Sequence, residues 1–248
     1  MMFPRAKRLA ALFLFVLFAT QSFAQNDGFA VTPIGSDLRD ISASGTFVPL
    51  SDDVVSSAVA IGFSFNFYGN TYSEVYISSN GFLTFTSGQS SGCCSGQNLP
   101  SVSTPNNLVA GFWEDLNLSQ GNIRYETLGV APDREFVVGF YDNPHFFDGP
   151  PVTFEMILHE STSNIEFQYG DAPSDGGNHT VGAENADGTL ATLVAYGDIS
   201  FSQEGFLLES EFIESTPVPA LRNTALVILV LLLGLAGFWY HRRIHPIN

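Results

Sequence analysis

From Ile61 onward apolar and polar residues alternate. Ile61, Phe63, Phe65 and Phe67 fall on one face, and Gly62, Ser64, Asn66 and Tyr68 on the other. A period of two is that of a half-buried β-strand. Gly69-Asn70 then turns the chain, and Val75–Ser78 reads as a short strand. Asn80-Gly81 predicts a tight hairpin, because both residues tolerate positive φ, and Phe82–Thr86 is the expected partner strand. A Ser/Gly/Pro-rich loop, 87–107, separates this hairpin from a buried apolar run, Leu108–Trp113. Further strands are predicted at Ile123–Leu128, Glu135–Tyr141, Val152–His159, Ile165–Tyr169, Thr180–Glu184, Thr192–Tyr196 and Phe206–Phe212. Within one of them Val152, Phe154, Met156 and Leu158 share a face. No stretch between the two ends carries a helical period, and no internal repeat is evident. Many short strands at this spacing predict an all-β fold, an antiparallel β-sandwich.

The two ends follow different rules. Arg5, Lys7 and Arg8 precede an apolar run, Leu9–Ala19, and then Ser22-Phe23-Ala24. Basic, apolar and small residues in that order predict a signal peptide over 1–24, cleaved after Ala24; a permanent N-terminal anchor is the alternative. At the other end, 224–240 is almost wholly apolar and closes on Trp239-Tyr240. As a helix it spans about 25 Å, slightly short of a hydrocarbon layer of about 30 Å. Aromatics at its edge, with Arg242 and Arg243 just beyond, predict a single transmembrane helix with a basic cytoplasmic tail, 241–248. The expected order is therefore leader, domain over 25–214, linker over 215–223, membrane helix and tail, with the domain outside.

Charge narrows the partners. All 25 acidic residues lie between Asp27 and Glu214, where Arg39, Arg124 and Arg134 are the sole cations, a net of −22. Such a surface repels phosphate backbones, so no nucleic-acid partner is expected. Hydrophobic residues make up 45% of the chain and Phe occurs 23 times, enough to fill a core. The two cysteines, Cys93 and Cys94, are adjacent. In an oxidising compartment they would form a strained vicinal disulfide, stay reduced, or bond another chain.

Two resemblances can be read from specific residues. Phe63-Ser64-Phe65-Asn66-Phe67-Tyr68-Gly69, Ile77-Ser78-Ser79-Asn80-Gly81-Phe82-Leu83-Thr84-Phe85 and Asn107-Leu108-Val109-Ala110-Gly111-Phe112-Trp113-Glu114-Asp115-Leu116 resemble the NIDO domain of nidogen, alpha-tectorin and some mucins. The resemblance spans roughly Ile61 to Gly197. It implies an extracellular structural or adhesive module, with no catalytic residues to carry over. Val218-Pro219-Ala220-Leu221, the Leu-rich run, Gly234-Leu235-Ala236-Gly237-Phe238 and Arg242-Arg243 resemble the bacterial sorting tail named after its Ile-Pro-Thr-Leu motif. Val218 and Ala220 stand where that motif has Ile and Thr. The resemblance implies an exosortase-type processing enzyme as partner; a plain anchor is the alternative.

Candidate chemistry is sparse. Gly88-Gln89-Ser90-Ser91-Gly92 matches a nucleophile-elbow pattern, but that device needs a following helix, and here a loop follows. His145, His159 and His179 lack the H-E-x-x-H spacing of a helical metal site and are read as surface or strand residues. Calcium, a hard cation, would find oxygen ligands at Glu114, Asp115 and Asn117, or at Asp171, Asp175 and Asp187; otherwise no cofactor is expected. Phe146 and Phe147, beside Pro144 and Pro150, either form an exposed contact patch or pack beneath their own loop. The leading expectation is a non-enzymatic surface or matrix protein. It would hold to the membrane by its tail and contact an extracellular polymer or surface protein. A polysaccharide-active hydrolase and a calcium-dependent carbohydrate-binding module are the alternatives.

Overall fold

The computed structural model describes residues 28–117 and 121–210. The leader, the Val218-Pro219-Ala220-Leu221 motif, the apolar segment 224–240 and Arg242-Arg243 lie outside the described residues. Among the described residues no helix is long and apolar enough to cross a membrane.

The described chain is built from antiparallel strands. They are β1 (Phe29–Gly35), β2 (Thr46–Phe47), β3 (Val59–Phe67), β4 (Asn70–Ile77), β5 (Phe82–Thr84), β6 (Leu108–Trp113), β7 (Asn122–Leu128) and β8 (Glu135–Pro144). There follow β9 (Pro151–His159), β10 (Ile165–Tyr169), β11 (Asp171–Ala172), β12 (His179–Glu184), β13 (Ala191–Gly197), β14 (Phe201–Ser202) and β15 (Glu204–Ser210). One sheet runs β1-β15-β10-β9-β8-β7-β2, and the other β13-β12-β6-β5-β4-β3; β11 and β14 form a small pair of their own. All eleven strands expected from the sequence have counterparts here, with β4 starting five residues earlier than expected. Strands β1, β2, β11 and β14 were not predicted.

Alternation explains the sandwich. In β3 the odd positions from Val59 to Phe67 are buried and the even ones are exposed or half-buried. In β9 both faces are covered: Val152, Phe154, Met156 and Leu158 enter the core between the sheets, and Ile157 joins a second cluster outside it. That core is aromatic, with Phe65, Phe67, Phe112, Phe140, Phe154 and Phe167 fully buried. Burying each contributes about 1.5–3 kcal/mol, and pairs such as Phe140 and Phe154, stacked at 4.6 Å, add geometric preference.

The second cluster lies under a strap formed by residues 36–45. Ile41 packs on Val137, Tyr141 and Ile157. The strap is tied down by buried Glu155, which accepts hydrogen bonds from the Arg39 and Asp40 amides (2.7 and 2.9 Å) and from the Tyr141 hydroxyl (2.6 Å). The Arg39 guanidinium forks onto Glu135 (2.9 and 3.0 Å) and reaches Glu166 (3.1 Å). The hydrogen bond to Arg39 holds the Glu135 carboxyl below its usual range against the cost of burial. His159 joins this network through Glu166, at 3.0 Å.

Candidate functional site

The acids that end the Leu108–Trp113 run point two ways. Along β6, Phe112 enters the core between the sheets and Trp113 turns to the other face, buried with Phe82 and Leu99, its indole N–H donating to the Gly92 carbonyl (2.8 Å). Continuing the alternation, Glu114 follows the Phe112 face and Asp115 the Trp113 face. The Asn80 hairpin fixes this turn. The Glu114 amide donates to the Asn80 carbonyl (3.2 Å), and the Leu116 amide to Asn80 Oδ1 (3.3 Å). Asn80 Nδ2 in turn donates to Asp53 (2.7 Å). The hairpin can press this close because Gly81 has φ of 82°, and any Cβ there would overlap the Phe112 carbonyl.

Two pairings then bring histidines to Glu114. Beyond β6 the chain runs beside the end of β8: the Phe146 amide donates to the Asp115 carbonyl and the Asn117 amide to the Pro144 carbonyl, both at 2.8 Å, and Leu116 bridges His145. On the other side, Thr180 of β12 pairs with Trp113, so His179 stands beside Glu114. Asp175 lies four residues before His179, in the loop that leads into β12.

Glu114, His145, Asp175 and His179 thus each offer one ligand atom, all within 4.8 Å of one another. Both histidines are fully buried, Glu114 is 4% exposed, and only Asp175 reaches solvent. Each histidine faces a backbone carbonyl with its remote nitrogen: His145 Nε2 lies 2.8 Å from Pro173 O, and His179 Nδ1 3.0 Å from Gly197 O. A carbonyl only accepts, so those nitrogens carry the protons. His145 Nδ1 and His179 Nε2 are left facing the carboxylates. His145 Nδ1 meets Glu114 Oε1 and lies 3.8 Å from Asp175 Oδ2. His179 Nε2 lies 3.4 Å from Asp175 Oδ1 and 3.8 Å from Glu114 Oε2. His179 Nε2 is buried without a hydrogen bond. Phe112 floors the group, its ring 4.7 Å from that of His179.

The group opens into a cavity of about 180 Å³ lined by Cys94, Ser95, Glu114, Asp115, Phe146, Phe147, Asp175, Gly177 and Asn178. Cys94, on its wall, is bonded to Cys93. Phe147 stands at its mouth, 90% exposed, with its backbone in the left-handed region at φ 62°. Beside the first group lies a second: Asp53, Asp115, Cys93 and Cys94.

Burial dominates the acids here. It lifts Glu114 above its ordinary range, against the pull of His145 and His179. Asp115 is pushed up to about 6 by desolvation first, then by the charges of Asp53, Asp52 and Asp175. His145 is opposed by burial, yet Glu114, the Pro173 carbonyl and Asp175 outweigh it and hold the pKa above the ordinary value. Glu114 and Asp115 therefore shift in the same direction.

A family model described as NIDO related matches residues 25–208, which takes in every strand above except the last two residues of β15. The chain belongs to the NIDO-related family. No curated protein and no solved structure matches it. Of the three segments that carry the NIDO resemblance, two help to build the site in this NIDO-related domain, the Asn80-Gly81 hairpin with β5 and β6 with its acids, whereas β3 fills the core between the sheets.

Of the three expected calcium ligands, Glu114 and Asp115 fall in separate groups, and the Asn117 amide is engaged with Pro144. Of the other acids weighed, Asp175 joins Glu114, whereas Asp171 accepts from Ser202 Oγ (2.8 Å) and Asp187 from Thr189 Oγ1 (2.6 Å). Ser90 sits in a loop that runs on to β6 without a helix. The histidines were read as surface or strand residues. His179 does begin a strand, but it and His145 are interior, which helical spacing could not reveal in a β protein.

Proposed function

We propose that this NIDO-related domain is a non-enzymatic binding module, exported by its leader and displayed outside the cytoplasmic membrane of a bacterium. Its tail anchors it or is processed by an exosortase-type enzyme. It makes contact through the cavity end of the sandwich, with an extracellular polymer or a surface protein as partner.

One observation carries this reading. Phe147 is 90% exposed at the mouth of a polar cavity, on a left-handed backbone that bulky residues rarely adopt. The arrangement costs on the order of 1–3 kcal/mol and exposes apolar surface. Folding alone gives no reason for either. A rigid aromatic beside polar groups is the composition of an anchor residue at a contact surface.

The test is retention of the full chain on extracellular polymer and envelope material from its host. Phe147→Ala should weaken retention by about tenfold or more, the loss typical of an anchor residue. Val130→Ala, which truncates another strongly exposed apolar residue (78%) in the turn between β7 and β8, should leave it unchanged. Equal retention of the two variants would sink the proposal.

A further inference from the structure

Three buried acceptors and one exposed carboxylate converge at the cavity end, and they cannot do so unaided. Two imidazole lone pairs and two carboxylates repel one another unless positive charge sits among them. Protons on both histidines would supply it, and so would a cation.

We propose that Glu114, His145, Asp175 and His179 form a site for one divalent transition-metal ion of the zinc class, with Asp175 on its solvent side. Three features favour the ion over protons. First, His179 Nε2 is buried without a hydrogen bond, while Glu114 Oε1 and His145 Nδ1 are engaged with each other. A protonated His179 would be expected to settle into such a bond. Second, each imidazole is oriented by a backbone carbonyl on its far nitrogen, the Pro173 carbonyl for His145 and the Gly197 carbonyl for His179. That outer-shell bond sets the tautomer a metal-ligating histidine needs. Third, the spacing fits. Bonds of 2.0–2.2 Å in a tetrahedron place ligands about 3.4 Å apart. His179 Nε2 and Asp175 Oδ1 are 3.4 Å apart, and the four residues offer one atom each, all within 4.8 Å of one another.

The donor set names the metal class. Calcium takes six to eight oxygens and gains little from imidazole. Two neutral imidazoles with two carboxylates suit zinc and its neighbours in the first transition row. The site stands whether or not Phe147 contacts a partner.

The experiment uses the full chain, stripped with a chelator, in detergent. Zinc chloride and calcium chloride are added separately, and binding is followed by calorimetry and by thermal unfolding. One zinc equivalent per chain is expected, and saturating zinc should raise Tm by about 5 °C or more. Millimolar calcium should neither shift Tm nor displace the zinc. Asp175→Asn should lower zinc affinity at least about tenfold; Asp175 is the exposed ligand, so the variant should fold. His179→Asn should abolish binding, with its fold checked by circular dichroism. Wild-type chain that takes up no zinc would overturn the proposal. So would calcium displacing zinc, or an Asp175→Asn chain that binds zinc as tightly as wild type. Loss of polymer retention through Phe147 with zinc binding intact would leave the metal site standing and touch only the contact role.

Discussion

Glu184 shows what a buried carboxyl costs when it has no cation. It is fully buried in β12, and its one hydrogen bond to the protein backbone comes from the Ser101 amide, at 2.6 Å. Desolvation raises its pKa from 4.5 to about 7, with the Ser101 bond pulling the other way. The folded chain therefore holds a proton between roughly pH 4.5 and 7 that the unfolded chain has released. Stability falls as pH rises through that window, by on the order of 1–3 kcal/mol. Urea midpoints measured from pH 4.5 to 8 should show this decline, and Glu184→Gln should make it shallower. An unchanged slope in the variant would assign the decline elsewhere. Residues of this kind were invisible in the sequence. Glu184 reads as one more acid among 25, and only the loop folded over it takes its water away. His145 and His179 were hidden for the same reason: burial comes from tertiary packing, and their partners lie up to 65 positions distant along the chain.

At the scale of elements, period two carried most of the fold. Val59–Phe67 and Pro151–His159 were legible because one face of each meets the core in every second residue. Strand β1 was not legible because it lies at the edge of its sheet: only Phe29 is buried, and Pro33 sits within it. Proline is tolerated at such an edge, and polar exposure erases the alternation. Asn80-Gly81 was read correctly as a turn, but its second use was not in the pattern. The hairpin lies inside the molecule, with Ser79 and Asn80 fully buried, and it supports the Glu114 turn. Gly81→Ala should therefore do more than strain one loop. It forces a Cβ into the Phe112 carbonyl at positive φ, and a loss of about 2–4 kcal/mol is expected by denaturant unfolding. Gly69→Ala, at similar φ but in open space, should cost about 1 kcal/mol. Equal losses at the two glycines would show that close packing at the hairpin is not what matters.

The whole molecule unites two independent kinds of information. The domain's membership of the NIDO-related family rests on residues 25–208, whereas export and sorting rest on the segments to either side of it. Mass spectrometry of the mature chain from its host tests those segments directly. The N-terminus is expected at Gln25. If the tail is processed, the C-terminus should lie near Ala220 or Leu221. A chain ending at Asn248 in every envelope fraction would leave an anchor in place of a sorting signal. Hydropathy could propose these ends because a leader and a membrane helix are local in sequence. A binding site assembled from β6, β8, β12 and a loop is not.

The pairing of β1 with β15 gives the domain a direction. Phe29 lies opposite Ser210, and the Ser210 amide donates to Asn164 Oδ1 (2.9 Å), at the start of β10. The chain leaves β10 at Tyr169 and reaches Pro173, over His145, at the opposite end of the sandwich. A tether through the residues after Ser210 would thus grip the module by its base. The cavity and Phe147 would be carried at the tip, about 20 Å further out, the length of a strand of this size. With the proposed anchoring, that reach would turn the mouth of the cavity toward whatever arrives from outside, and away from neighbours rooted in the same membrane.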